Sequence, residues 1–137
     1  VEELCRSMEA GAMPCLESIT LQGLDTGALA RLMRALTRKA TCCSATMKAL
    51  SLLYCDADDE EGEAVGRALA AGACPGLKKL YLNNSSDIGD RTVLSIVDAL
   101  RGGAGKQLEQ LGLRRTSLGD EGCLALKAVM LECSTFA

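Results

Sequence analysis

Eight cysteines are the side chains best suited to chemistry in this chain of 137 residues, because it contains neither histidine nor tryptophan. The composition excludes histidine-based catalytic triads, His-Glu-x-x-His zinc sites and Cys2His2 fingers. A cysteine-only zinc site needs closely spaced pairs of thiolates, and the only close pair is Cys42 and Cys43. The scattered cysteines therefore predict small, mostly buried side chains that remain thiols in a reducing compartment.

Six carboxylates are concentrated within residues 56–63, where a calcium-binding loop is the chemical possibility. Such a loop requires alternating aspartates, a glycine and a glutamate at its twelfth position. The twelfth residue counted from Asp56 is Arg67, so the pattern does not fit. We expect these acids to lie at the start of a helix, where negative charge is favourable.

Residues 102–106 read Gly-Gly-Ala-Gly-Lys and match only part of the sequence motif of a phosphate-binding loop. That motif places Ser or Thr after the lysine and opens a helix, whereas Gln107 follows Lys106 here. The expected structure is a return loop that begins with a glycine cap at the end of a helix. The sequence offers no stronger candidate, and it predicts no catalytic residue, no cofactor, no metal and no enzyme activity.

An internal repeat determines where these segments fall. The pattern apolar-x-x-apolar-x-apolar starts at residues 16, 47, 77 and 108, so the intervals are 31, 30 and 31 residues. One residue separates its last two apolar residues. In an extended chain such residues point to the same side, so this spacing predicts a strand. A segment with helical spacing follows each strand, so every unit consists of strand, loop, helix and return loop. One such unit cannot bury its own apolar faces, and neighbouring units must stack.

The helices of the last two units show their expected faces most clearly. Asp90 and Asp120 fall at the helix starts, where an acceptor or a negative charge is favourable. The predicted buried stripes are Val93, Ile96, Val97 and Leu100 in one helix and Cys123, Leu126, Val129 and Met130 in the other.

Residues 77–82, Leu-Lys-Lys-Leu-Tyr-Leu, followed by Ile88-Gly89-Asp90 and a helix through Leu100, resemble a leucine-rich repeat of the ribonuclease-inhibitor type. The resemblance implies an α/β solenoid, a right-handed horseshoe arc with parallel strands on the concave face and helices on the convex face. Residues 16–137 would form four repeats in one continuous domain, and residues 1–15 the back half of a preceding repeat, within a longer array. The family's usual Asn position holds Leu24, Cys55, Ser85 and Thr116, so a weaker ladder of side-chain hydrogen bonds is expected.

The resemblance implies a protein–protein interaction module or a structural scaffold subunit of a larger assembly. Tyr and Arg are favoured interface anchors, and the basic end of the strand face favours an acidic segment of a protein partner. The alternative function is the regulation of an enzyme, as by the GTPase-activating proteins of the Ran-type leucine-rich repeat class. The predicted protein-binding residues are Thr20, Gln22, Ser51, Tyr54, Lys79, Tyr81, Asn83, Arg114 and Arg115.

Charge and hydropathy limit the other partners. The net charge of −3 argues against a nucleic-acid partner, and no apolar run approaches the roughly 18 residues of a membrane span. We expect an intracellular, most simply cytoplasmic, protein without membrane insertion. The first strand would be an uncovered sheet edge, so further repeats or subunits are expected at the N-terminal end. Arg31, Arg34 and Arg38 recur at helical spacing and are interpreted as a solvated helix face, with a basic stripe that meets an acidic partner as the alternative.

Overall fold

A computed structural model describes residues 1–38 and 43–132, which form an α/β structure around a four-stranded parallel sheet. The strands follow one another in chain order across the sheet and are β1 (Ser18–Gln22), β2 (Ala49–Leu53), β3 (Lys79–Tyr81) and β4 (Gln110–Gly112). The helices of the described residues are α1 (Glu2–Glu9), α2 (Ala28–Thr37), α3 (Cys43–Thr46), α4 (Asp59–Ala70), α5 (Asp90–Arg101) and α6 (Asp120–Glu132). None of these helices is long and apolar enough to cross a membrane.

The leucine pattern sets the register of the sheet. Ile19 pairs with Leu50, Leu50 with Leu80, and Leu80 with Leu111, so equivalent motif positions are neighbours on adjacent strands. These side chains share one face of the sheet, where those of the central strands are almost fully buried against the helices. The strand prediction is therefore confirmed, and β1 lies at a sheet edge as expected.

The long helices pack beside one another in the same order as the strands: α1 on α2, α2 on α4, α4 on α5, and α5 on α6. The buried stripe predicted for α5 is confirmed. The stripe predicted for α6 is wrong in part, since Val129 is buried and Leu126 half-buried, but Cys123 and Met130 are exposed. Among the described helices α6 has a neighbour on one flank alone, so only that flank is covered.

Three helices end in the same glycine turn. Gly11, Gly72 and Gly103 adopt left-handed φ values of 76°, 92° and 96°. In each case the next residue donates its N–H to a carbonyl five residues earlier, as Ala104 does to Ala99 at 3.0 Å. This is the Schellman arrangement, which satisfies carbonyls that the helix end leaves unpaired. It confirms the glycine-capped return loop predicted for residues 102–106.

Asp59, Asp90 and Asp120 lie in the first turns of their helices, as predicted, but Asp59 and Asp90 bond to the next unit. Asp90 does not cap its own helix, because its Oδ1 accepts from Gly119 N–H at 2.8 Å and Gly122 N–H at 3.2 Å in the next unit. Asp59 likewise accepts from Gly89 N–H at 2.9 Å, one unit further along the chain. The residue that caps α4 is Asp58, which accepts from Glu61 N–H at 2.6 Å. The acids therefore lie at the starts of their own helices and also link them to the next unit.

Two glycines bring α4 and α5 close together. A Cβ added at Gly62 would overlap the side chain of Thr92, and one at Gly66 would lie 2.5 Å from the backbone carbonyl carbon of Ser95. Real carbon atoms do not approach so closely, so only glycine fits at both places. This close contact fixes α4 against α5.

Candidate protein-binding surface

The face of the sheet opposite the leucines is formed by alternate strand residues and is not covered by the helices. We call it the open face: its outward positions are residues 18, 20, 22, 49, 51, 53, 79, 81, 83, 110, 112 and 114. The register places Thr20, Ser51, Tyr81 and Gly112 in one row across the four strands. Lys79 lies in the adjacent row between Ala49 and Gln110. The side chains of the open face are thus small and polar at β1, and the larger and positively charged ones lie towards β4.

Tyr81 is held in place by the neighbouring strand. Its hydroxyl donates to Gln110 Oε1, and its ring lies so close to Gly112 that an added Cβ there would overlap it. Tyr81 is consequently half-buried. A side chain fixed before binding loses less conformational entropy when it enters an interface.

Asn83 and Arg114 meet at the carboxyl end of β3 and β4. Asn83 Oδ1 accepts from the backbone N–H of Arg114 at 2.8 Å. This bond fixes the backbone where the Arg114 side chain emerges, and that side chain is exposed. The structure therefore brings Tyr81, Asn83 and Arg114 close together at the carboxyl ends of β3 and β4.

A second row lies directly beyond the strand ends, where the chain turns away from the sheet. Gly23, Tyr54, Asn84 and Arg115 occupy equivalent places in successive units, and all have left-handed φ values, of 68°, 55°, 62° and 57°. We call these four residues the turn row. Backbone bonds hold them side by side: Tyr54 N–H donates to Asn83 O at 3.2 Å, and Asn84 N–H donates to Arg114 O at 2.7 Å.

Two members of the turn row occupy an unfavourable backbone conformation. A left-handed residue with a Cβ costs roughly 1–2 kcal/mol, whereas glycine adopts this conformation freely and asparagine tolerates it. Gly23 and Asn84 therefore suit their positions, but Tyr54 and Arg115 do not. Both carry exposed side chains, and Tyr54 is 56% exposed.

Beneath the turn row, Ser85 links two units in the interior. Its Oγ is fully buried and accepts from the backbone N–H of Cys55 at 3.0 Å. The equivalent Leu24 has no polar side chain, and Thr116 donates to Leu113 within its own unit at 2.8 Å. Among the described residues at this position of the repeat, Ser85 is thus the one whose side chain bonds to another unit. The ladder is sparse, as the sequence predicted.

The cysteines divide by environment. Cys5 and Cys55 are buried free thiols, while Cys15 and Cys123 are exposed free thiols. Burial raises the pKa of the Cys55 thiol, and the hydrogen bond with Ser85 opposes this increase. Cys42 and the side chains of Cys43 and Cys133 lie outside the described residues. Within residues 1–38 and 43–132, no group of three or more acidic, cysteine or histidine side chains is placed to hold a metal ion.

The predicted binding residues fall into two groups. Lys79, Tyr81, Asn83 and Arg114 lie on β3 and β4 or directly after them, and Tyr54 and Arg115 lie in the adjacent turn row. Thr20 and Gln22 are exposed on β1, at the far edge of the sheet, with Ser51 half-buried between the two ends. The predicted set of binding residues did not include Gln110, which accepts from Tyr81, or Asn84, which lies between Tyr54 and Arg115 in the turn row. The shared spacing of the turn row in the repeat is the signal that identifies Asn84.

No protein-family model matches the chain, and a search of curated proteins found no significant match.

Proposed function

We propose that the chain is a leucine-rich repeat solenoid of the ribonuclease-inhibitor type and a protein-interaction module. Its partner binds the open face together with the turn row. Three features support this architecture. Strand, turn and helix recur with the sequence repeat, equivalent leucines pair across the sheet, and helix ends share one glycine turn.

The observation that carries the binding proposal is the backbone conformation of Tyr54 and Arg115. Each occupies a left-handed turn where glycine would be more stable, as Gly23 illustrates in the first unit. Each also presents a large exposed side chain of the type enriched at interface hot spots. Residues held in such conformations by the surrounding structure cluster at active sites and ligand-binding sites.

Charge points to the chemistry of the partner. None of the outward positions of the open face is Asp or Glu, although the whole chain has a net charge of −3. Lys79, Arg114 and Arg115 are exposed around Tyr81. A partner segment with carboxylates would therefore meet complementary charge, and Arg115 and Arg114 would offer planar donors to it.

The experiment compares variants in quantitative capture of partners from the native source. The wild-type chain is compared with Tyr54→Gly/Arg115→Gly, which removes both side chains but suits the turn geometry. The binding proposal expects each lost anchor to weaken the captured complex by about 1–2 kcal/mol. The control is Lys106→Ala, which removes an exposed cation from a return loop between a helix and a strand.

All variants must first show an unfolding midpoint no lower than that of the wild type. Retention of the same partners at wild-type affinity by the Tyr54/Arg115 variant would reject the open face and turn row as the interface. If Lys106→Ala lost as much binding, the loss would be due to net charge alone. That result would also reject the open face and turn row as the interface.

A further inference from the structure

A groove runs between α2 and α4 on the helical side of the molecule. Its volume is about 880 Å³. Its floor consists of short or apolar side chains, with Ala30 and Met33 from α2 and Ala64 and Ala68 from α4. These side chains leave room for another element to approach both helices closely.

Arginines line the walls of this groove. Arg34 extends from α2, Arg38 directly follows the end of α2, and Arg67 extends from α4. No Asp or Glu contributes to the lining. The side chains of Arg38 and Arg67 are each 66% exposed. Arg34 is also exposed, and it makes no ion pair with any described residue.

The nearby acids are already shared among several cations. Glu9 pairs with Arg31 at 2.5 Å and with Arg38 at 3.1 Å, and Glu63 pairs with Arg91 at 2.9 Å and with Arg67 at 3.4 Å. The sequence-based interpretation of a fully solvated arginine face is therefore wrong for Arg31. That side chain is only 19% exposed and is tied to α1 through Glu2 and Glu9. Arg34 therefore has no ion-pair partner among the described residues, and the exposed side chains of Arg38 and Arg67 each face one carboxylate that a second arginine shares.

We propose that this groove binds an acidic helical segment of a partner protein. The apolar side of the segment would lie on the alanine floor, and its carboxylates would meet Arg34, Arg38 and Arg67. Residues 30–37 extend over roughly 10 Å of helix, which accommodates about two turns of a bound helix. This surface is independent of the open face and adds a second partner contact.

The geometry favours a helix over an extended peptide. An extended segment needs partners for its backbone N–H and C=O groups, and a sheet edge supplies them. The walls of this groove are helices, whose interior backbone groups are already paired within α2 and α4. A helical segment brings its own backbone bonds and needs only side-chain contacts.

The test uses a fluorescein-labelled 15-residue peptide with leucine and alanine on one helical face and glutamate on the other. Fluorescence anisotropy measures its dissociation constant for the wild-type chain. We expect Arg34→Glu/Arg67→Glu to raise that constant at least tenfold. The matched control, Lys127→Glu, reverses the charge of an exposed side chain on α6 and should change it less than twofold.

Two further arms separate shape from charge. Ala64→Leu fills the floor without changing charge and should weaken binding at least fivefold. A peptide of the same composition, scrambled so that no apolar face forms, should bind at least tenfold more weakly than the designed helix. Circular dichroism and the unfolding midpoint confirm that each variant is folded.

Several outcomes would overturn the proposal. They are the absence of saturable binding, equal affinity of the designed and scrambled peptides, and displacement of the peptide by millimolar inorganic phosphate, which would indicate a simple anion site. Loss of binding in Tyr54→Gly/Arg115→Gly, with the groove variants unaffected, would place the peptide on the open face instead. Failure of the open-face proposal leaves the groove result unchanged, because the two variant sets share no residue.

Discussion

Asp59, in the first turn of α4, accepts hydrogen bonds from both the backbone N–H and the hydroxyl of Thr92, at 2.9 Å and 2.8 Å. Thr92 lies in the first turn of α5, whose N–H groups have no partner within their own helix. A helix start in one unit is therefore capped by a carboxylate from the preceding unit. Asp90 repeats this arrangement towards α6. Stacking of the units and capping of their helices are thus coupled.

The first prediction concerns Asp59→Asn, which removes the charge but keeps one oxygen acceptor. We expect the free energy of unfolding at pH 7 to fall by about 1 kcal/mol, the usual effect of a weakened helix cap. Burial raises the pKa of Asp59, but hydrogen bonds from Thr92, Gly89 and Arg91 outweigh this and lower it overall. The stabilisation is complete above the unfolded-state pKa of about 3.9 and is lost as pH falls through the lower folded-state value.

Urea denaturation at a series of pH values measures this effect. The stability difference between wild type and Asp59→Asn should be constant near neutral pH and should shrink below about pH 4. Asp87→Asn is the control, because Asp87 is exposed and makes no hydrogen bond among the described residues. A difference that stays constant down to pH 2 would contradict the role assigned to the Asp59 charge.

A second prediction tests the close contact of α4 and α5. Replacing glycine by alanine inside a helix usually stabilises it by about 1 kcal/mol. In Gly66→Ala the added methyl would collide with the backbone of Ser95, so α5 must move. We expect the sign to reverse, with a loss of about 1–3 kcal/mol.

The control for this contact is Ala64→Gly on the α2 side of the same helix. It should lose about 1 kcal/mol through helix propensity, together with the packing of one half-buried methyl group. Stabilisation by Gly66→Ala in thermal and urea unfolding would show that the two helices are not in contact at this glycine.

The third prediction concerns the buried bond between Ser85 and Cys55. Ser85→Ala leaves the backbone N–H of Cys55 without its acceptor in the interior. An unsatisfied buried donor costs about 1–3 kcal/mol, which equilibrium unfolding should detect. Thr116→Ala at the equivalent position removes a bond within one unit, and we expect a smaller loss. Equal losses for both variants would argue against a special role for the bond between units.

The sequence predicted the parts of the fold that depend on periodicity. Leucines at fixed spacing identified the strands and their buried face, and glycines after the helices identified the return loops. The same pattern placed Tyr81 and Arg114 on neighbouring strands, and the structure has Tyr81 on β3 and Arg114 just beyond the end of β4. Each of these features depends on residues that are close in the chain or recur with the repeat.

Features that depend on the packing of particular neighbours were not predictable. The sequence placed Asp90 at a helix start, but it could not show that the nearest unpaired N–H groups belong to the next helix. It placed Cys123 and Met130 on an apolar stripe without showing that one flank of α6 lacks a described neighbour. The left-handed conformation of Tyr54 and Arg115 was also hidden, because neither residue type favours it.

Thiol labelling provides a fourth prediction. Iodoacetamide reacts with the thiolate, so exposed cysteines should be modified first in the folded protein. We expect Cys15 and Cys123 to be alkylated rapidly at pH 8. Cys5 and Cys55 should be protected, because burial raises the pKa of both thiols as well as limiting access. Peptide mass spectrometry after timed quenching measures each site, with urea-unfolded protein as the control. Labelling of Cys55 as fast as Cys15 would contradict the buried position of Cys55.

The last prediction separates the effect of backbone strain at Tyr54 on stability from the effect of its side chain on binding. Tyr54→Gly and Tyr54→Ala both remove the ring, but only alanine keeps the Cβ that disfavours the left-handed turn. We therefore expect the glycine variant to be more stable than the alanine variant by about 1 kcal/mol in urea denaturation. The same pair at Lys106, which is exposed without a left-handed φ, should show the opposite order, because glycine has more unfolded-state entropy to lose. If the exposed ring of Tyr54 binds the partner, the two Tyr54 variants should bind equally weakly despite their different stabilities. Equal stability of Tyr54→Gly and Tyr54→Ala would refute the backbone strain at Tyr54. Affinity that followed stability would refute direct contact between the Tyr54 ring and the partner.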